Sequence, residues 1–178
     1  IDDRTAVRLD KQTGTAPPTG ITTGIAELDA ILHHNGWGRK ELSILLGGAK
    51  AGKTTGLIHF AKIASLAGYN VLYVTLEVSA NIIEDRLDAS ITETLMKDLG
   101  SKIHDIKNKI KAIADSGKVG RLTVMEFPTG TLSPNMLRAL VQRMKDKGKS
   151  IDMIAVDYAD IMAPNHRTND PIENSKTI

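Results

Sequence analysis

The chain has 178 residues, a formal charge of +2 and no cysteine. Its length suits one domain of ordinary size, and 41% hydrophobic with 25% charged residues is a globular composition. The lack of cysteine excludes disulfides and cysteine-ligated zinc. No segment resembles a signal peptide or a membrane-spanning run, so we expect a cytoplasmic protein that has no membrane partner.

Apolar runs alternate with amphipathic segments along most of the chain. Residues 1–20 are polar and contain GTAPPTG, so we expect a linker or arm there and one domain over 21–178. Continuous apolar runs predict strands buried on both faces, at 42–46, 71–77, 121–127 and 151–157. Periodic apolar segments predict helices, at 22–34, 53–67, 79–90 and 133–147, and over 91–114 with an interruption at Gly100. This alternation favours an α/β fold with a mostly parallel sheet and helices on both faces.

The end of the chain has the features of a helix start. Asp170 suits the N-cap, Pro171 the first helical position and Glu173 the third. Because the chain stops at Ile178, that helix would have only about two turns. We therefore expect the domain to be truncated at its C-terminus.

The segment GGAKAGKT, residues 47–54, fits the phosphate-loop pattern G-x-x-x-x-G-K-[ST] between a predicted strand and a predicted helix. Glycines let backbone N–H groups turn toward an anion, and the following helix directs its positive end to the same point. Lys53 would reach the β- and γ-phosphates, and the Thr54 hydroxyl would be a Mg²⁺ ligand. The predicted nucleotide-binding residues are Gly47, Gly48, Ala49, Lys50, Ala51, Gly52, Lys53, Thr54 and Thr55.

Two acids end predicted strands of the same sheet. Asp157 ends MIAVD at the carboxyl edge, where α/β sheets bind ligands, and would be the carboxylate that holds the metal. Glu77 ends VLYVTLE and would emerge at the same edge, where a carboxylate can accept a proton from an attacking water. From the local pattern alone, a solvated acid in a turn is the better interpretation of Glu77.

Three segments together resemble a known family. TGITTGIAELDAIL, the long segment from GWGRKE through the phosphate loop to TLEVSANIIEDRL, and IDMIAVDYADIM are similar to the RecA-like ATPase core of the DnaB family of replicative helicases. The resemblance covers about residues 19–162. It implies a RecA-like P-loop NTPase fold, ATP with Mg²⁺, and Glu77 as the catalytic base beside Lys53. It also implies that Arg86 helps to hold the nucleotide base.

The resemblance further implies a ring, typically a hexamer, with ATP at subunit boundaries and single-stranded DNA in the channel. After VDY the family usually has Leu-Gln, whereas this chain has Ala159-Asp160, which favours a divergent relative such as a phage or plasmid protein. The sensor residue, the arginine finger and the main DNA-binding loops of the family would lie beyond Ile178. The chain alone should therefore be a poor ATPase.

DNA contacts and metal ligands are less evident in this sequence. The loop APNHRTND contains His166 and Arg167, which either contact DNA phosphates or belong to a solvated loop. The apolar stripe at residues 99–113 favours core packing over a subunit contact. His33 and His34 are adjacent and poorly placed to share a metal, and we expect no zinc.

Three functions agree with these observations. The first is an ATP-dependent DNA helicase that translocates on single strands and unwinds duplex. The second is a RecA-like, DNA-stimulated ATPase of recombination or regulation. The third is a nucleotide-gated loader or adaptor with little turnover.

Overall fold

The computed structural model describes residues 19–165, which belong to two compact units that meet in sequence between Ile44 and Leu45. In the first unit, a short helix, α1 (Ala26–Ile31), lies between the two residues of an isolated antiparallel bridge, Ile21 and Trp37. Asp29 of this helix accepts hydrogen bonds from the Thr22 hydroxyl and the Thr23 amide, 2.5 and 2.7 Å. The helix is thereby tied to the segment before it. Across residues 19–165 no helix is both long and apolar enough to cross a membrane.

The second unit contains a three-stranded parallel sheet. Its strands are β1 (Val71–Thr75), β2 (Leu122–Glu126) and β3 (Met153–Asp157). They lie in the order β2-β1-β3, and Thr75 is in register with Glu126 on one side and Asp157 on the other. All three strands therefore end at the same edge of the sheet.

Helices and short 3-10 turns connect and flank these strands. The helices are α2 (Lys53–Leu66), α3 (Ala80–Thr92), α4 (Ile103–Asp115) and α5 (Pro134–Asp146). The 3-10 turns are Met96–Asp98 and Ala159–Ile161. The predicted strands at 71–77, 121–127 and 151–157 and the predicted helices at 53–67, 79–90 and 133–147 are confirmed, with ends that differ by a few residues.

Helices cover both faces of the central strand, as predicted. All five residues of β1 are fully buried. Because side chains alternate across a strand, Leu72 and Val74 share one face, where they pack in a cluster with Met144 of α5. Val71 and Tyr73 are on the opposite face, and α2 contacts the sheet along all three strands. A continuous apolar run without alternation is thus the mark of burial on both sides.

The predicted strand at 42–46 is wrong in this structure. The segment has no regular secondary structure, and within residues 19–165 its backbone forms no hydrogen bond. Leu42 and Leu46 are 86% and 91% exposed. An apolar run shows that burial would be favourable, but it does not specify what covers it. Both edges of β1 are already paired, so the central position in this sheet is taken by 71–75.

The predicted packing of the stripe at 99–113 is only partly right. Of its apolar residues on α4, Ile106 is buried, whereas Ile103 is 61% exposed. The main contact of α4 is α3, not the sheet. Fewer of its apolar residues are buried than the periodicity suggests, because α4 packs against one helix and not against a broad sheet.

Candidate nucleotide site

The loop at residues 47–52 leads directly into α2. Gly52 precedes the helix with φ 85°, a left-handed conformation that favours glycine, and Lys50 adopts a similar φ of 59°. In the described structure no side chain caps this helix start, and its first turn has no acidic residue. The free N–H groups and the positive end of the helix dipole are therefore available to an anion.

Lys53 folds back over this loop. Its ammonium Nζ donates hydrogen bonds to the carbonyl oxygens of Gly47 and Gly48, both at 2.9 Å. The amide of Ala51 donates to the Gly48 carbonyl at 3.3 Å. Among the residues that the structure describes, the amides of Gly48, Ala49 and Lys50 have no acceptor. The loop and the first residue of α2 thus combine two lysines, Lys50 and Lys53, with several backbone N–H groups that have no acceptor within residues 19–165.

The start of α2 lies at the carboxyl edge of the sheet. Four residues, 67–70, separate the end of α2 at Leu66 from the start of β1 at Val71. So short a connection makes the helix run antiparallel to the strand against which it packs. Lys53, Thr54 and Thr55 are consequently at the same end of the sheet as Thr75 and Asp157.

Asp157 is buried at this edge. It is 4% exposed, and its Oδ2 accepts a hydrogen bond of 3.1 Å from the Tyr73 hydroxyl. Within the described part of the chain its Oδ1 accepts none. One carboxylate oxygen is therefore fixed by the protein and the other is left for a further ligand.

Tyr73 is a neutral donor to Asp157. Burial, followed by the negative charge of Asp157 and the hydrogen bond to it, raises the pKa of Tyr73 far above its ordinary value. The guanidinium of Arg86, half-buried on α3, lowers this pKa by a smaller amount. Arg86 therefore lies within electrostatic reach of the Tyr73–Asp157 pair. Whether it also contacts a nucleotide base stays a prediction.

Glu77 follows β1 and is exposed. Its neighbour Leu76 donates its amide N–H to the backbone carbonyl of Asp157 at 2.9 Å. Glu77 and Asp157 thus lie at the ends of two neighbouring segments that are hydrogen-bonded to each other, at one edge of the sheet. Their positions at the ends of predicted strands predict this proximity. His166 and Arg167 lie outside the described residues.

Comparison with known proteins identifies the family of this fold. The DnaB-like helicase C-terminal domain matches residues 20–177. The chain belongs to this family. The DnaB-like replicative helicase of Enterobacteria phage T4 is 30% identical over 124 residues, which cover 67% of this chain and 26% of that protein. The chain thus spans about a quarter of that relative's length.

Two solved structures share the fold of this DnaB-like domain. One is described as an ATPase domain, with a TM-score of 0.73 and 18% identity over 98% of this chain and 62% of that one. The other is a DnaB-like replicative helicase described with its interactions with primase, with a TM-score of 0.76 and 17% identity over 99% and 43% of the two chains. Both likenesses confirm the RecA-like ATPase fold.

Three polar residues around the DnaB-like site were missed from sequence. They are Tyr73, Glu126 and Thr129. The Glu126 carboxylate accepts a hydrogen bond of 2.8 Å from the Ala80 amide at the start of α3, and the Thr129 hydroxyl donates to the Leu76 carbonyl at 2.8 Å. The available signal was the position of Glu126 one residue before the end of the predicted strand 121–127, close to the signal that selected Asp157.

Proposed function

We propose that this chain is the ATP-hydrolysing core of a DNA helicase. The observation that carries the proposal is the meeting of three features at one sheet edge: the uncapped start of α2 with Lys53, the buried Asp157, and the exposed Glu77. Phosphoryl transfer to water needs hydrogen-bond donors that hold the phosphates, a carboxylate that binds a cation, and a free carboxylate that acts as the base.

The phosphate groups of ATP would be held by residues 47–55. In this structure Lys53 donates to two neutral carbonyl oxygens. A phosphate would draw it away, because hydrogen bonds between charged groups are roughly twice as strong as neutral ones. A Cβ built at Gly48 meets no atom of the described residues within 4 Å. The protein itself therefore does not require glycine at this position, whereas a ligand close to the backbone would.

Thr54 and Asp157 are the proposed protein ligands of Mg²⁺. Within residues 19–165 no three acidic or histidine side chains cluster into a metal site. Such a sparse set suits Mg²⁺, which is commonly held by one or two protein groups together with substrate phosphates and water. When bound, the ion neutralises charge that develops on the phosphate oxygens.

Glu77 is the proposed general base. Its carboxylate accepts a proton from water while the water oxygen forms a bond to the γ-phosphorus. The bond from that phosphorus to the bridging oxygen of ADP breaks, and ADP leaves with the bond electrons. Since Glu77 has no protein partner in the described structure, it is free to bind this water. Arg86 would contact the nucleotide base.

The proposed partners are single-stranded DNA and further copies of the chain, in a hexameric ring. Membership of the DnaB-like family supports both. His166 and Arg167 are the proposed DNA contacts, and they would act on phosphates without reading sequence. DNA movement would then follow from ATP turnover at the subunit boundaries.

The test is strand displacement on forked DNA by the intact protein. We expect ATP-dependent unwinding, and we expect Glu77→Gln to retain ATP binding while turnover falls by about 10²–10⁴-fold. Glu84→Gln, an exposed acid on α3, is the matched control and should unwind normally. Lys53→Ala should lose ATP binding.

Other outcomes identify the alternatives. Hydrolysis stimulated by DNA but without displacement would indicate a recombination or regulatory ATPase. ATP binding without hydrolysis would indicate a nucleotide-gated loader or adaptor. Unchanged ATP affinity in Lys53→Ala would overturn the assignment of the loop.

A further inference from the structure

We propose that Thr129 is a positioning residue for Glu77. Thr129 lies in the turn between β2 and α5, and its hydroxyl donates to the carbonyl oxygen of Leu76 at 2.8 Å. That carbonyl belongs to the peptide group that joins Leu76 to Glu77. The inference rests on the proposed function, in which Glu77 is the base.

Both backbone groups of Leu76 are held. Its N–H donates to the Asp157 carbonyl at 2.9 Å, and its C=O accepts from Thr129. Leu76 is also buried in the apolar cluster on one face of the sheet. A peptide group is planar, so a hydrogen bond to its carbonyl oxygen orients the amide and the Cα of the residue that follows. Thr129 therefore sets the direction in which Glu77 leaves the sheet.

The turn that carries Thr129 is itself anchored. The Gly130 amide donates to the Ile161 carbonyl at 2.9 Å, and the Ala163 amide donates to the Leu132 carbonyl at 2.8 Å. Leu132 is fully buried. These bonds join the turn to the segment that follows Asp157. The turn that carries Thr129 is therefore hydrogen-bonded to the segment that follows Asp157, the proposed metal ligand.

The side chain of Glu77 needs this support. In the part of the chain that the structure describes, its carboxylate has no hydrogen bond and no ion pair. A general base must lie within hydrogen-bond reach of the proton that it accepts. A misplacement of about 1 Å can reduce the rate by about 10²-fold. With no side-chain tether, the position of the carboxylate depends on its backbone.

The experiment compares three variants of the intact protein. Thr129→Val removes the hydroxyl and keeps the shape, whereas Thr129→Ser keeps the donor. Thr131→Val is the matched control, because the Thr131 hydroxyl lies in the same turn but donates to Pro128 at 2.6 Å. We expect kcat of Thr129→Val to fall by about 10-fold or more while its ATP affinity stays within about 2-fold of the wild type. Thr129→Ser and Thr131→Val should retain kcat.

A double variant separates the two proposals. If Thr129 acts through Glu77, then adding Thr129→Val to Glu77→Gln should not slow hydrolysis further. Retained turnover in Glu77→Gln alone would overturn the proposed function. If Glu77→Gln is inactive but Thr129→Val has the wild-type kcat, the positioning role is wrong. It is equally wrong if Thr129→Val weakens ATP binding as much as it lowers kcat, with a lower Tm than Thr131→Val.

Discussion

The hydrogen bond from Tyr73 to Asp157 is the residue contact with the clearest consequence for the proposed Mg²⁺ site. With the hydroxyl removed in Tyr73→Phe, Oδ2 of a buried carboxylate loses its partner and the carboxylate can rotate out of the orientation proposed for binding Mg²⁺. A hydrogen bond to a charged group contributes about 1.5–3 kcal/mol, so we expect the gain in ATP affinity caused by Mg²⁺ to fall about 10-fold or more. Calorimetric titration with ATP, with Mg²⁺ and with a chelator, measures that gain.

Tyr69→Phe is the matched control for this prediction. Tyr69 lies in the short connection before β1, and within residues 19–165 its hydroxyl has no hydrogen bond. Affinity without Mg²⁺ should be the same in both variants and the wild type. An equal loss with and without Mg²⁺ in Tyr73→Phe would contradict the role in metal binding.

Sequence patterns suggest those parts of the candidate site that depend on neighbouring residues. Lys53 and Thr54 are predicted from one short motif, and Glu77 and Asp157 from their places at the ends of predicted strands, and their roles stay predictions. The Tyr73 hydroxyl meets Asp157 across 84 positions, and Thr129 meets Leu76 across 53. No pattern in the sequence specifies such pairs, because they depend on strand order and register, which are set by the whole sheet.

At the scale of an element, α5 offers the sharpest test of stability. Ser133 caps its start by accepting a hydrogen bond of 3.3 Å from the Met136 amide, and Pro134 is at the first turn. Ser133→Ala should reduce the free energy of unfolding by about 1 kcal/mol, whereas Ser133→Asp, which keeps an acceptor, should retain it. Chemical denaturation of both variants measures this. A loss of equal size in Ser133→Asp would show that the hydrogen bond is not the cause.

Elements were predictable where the pattern and the environment agree. The run at 71–75 is buried on both faces, and its sequence indicates that. The run at 42–46 is similarly apolar and is exposed, since composition indicates only the tendency to leave water. The apolar period predicts a helix over 91–114, whereas α4 begins only at Ile103 and residues 96–98 form a 3-10 turn. The partner of α4 is α3 and not the sheet. The element against which a helix packs is decided by the tertiary structure, and the periodicity of the helix does not specify it.

At the scale of the whole molecule, the charge balance of the site leads to a prediction about assembly. Within residues 19–165 the cationic side chains of the proposed site are Lys50, Lys53 and Arg86, and Lys53 serves the β- and γ-phosphates in the proposed function. An arginine supplied by a neighbouring subunit typically raises the rate of phosphoryl transfer by about 10³–10⁵-fold. If copies of the chain complete one another's sites, hydrolysis per subunit must depend on protein concentration.

We expect the rate per subunit of the intact protein to fall steeply on dilution, in parallel with the mass measured by light scattering. ATP binding by Lys53 and its loop should persist in the dissociated protein. A constant rate per subunit in a solution shown to contain only monomers would contradict shared sites.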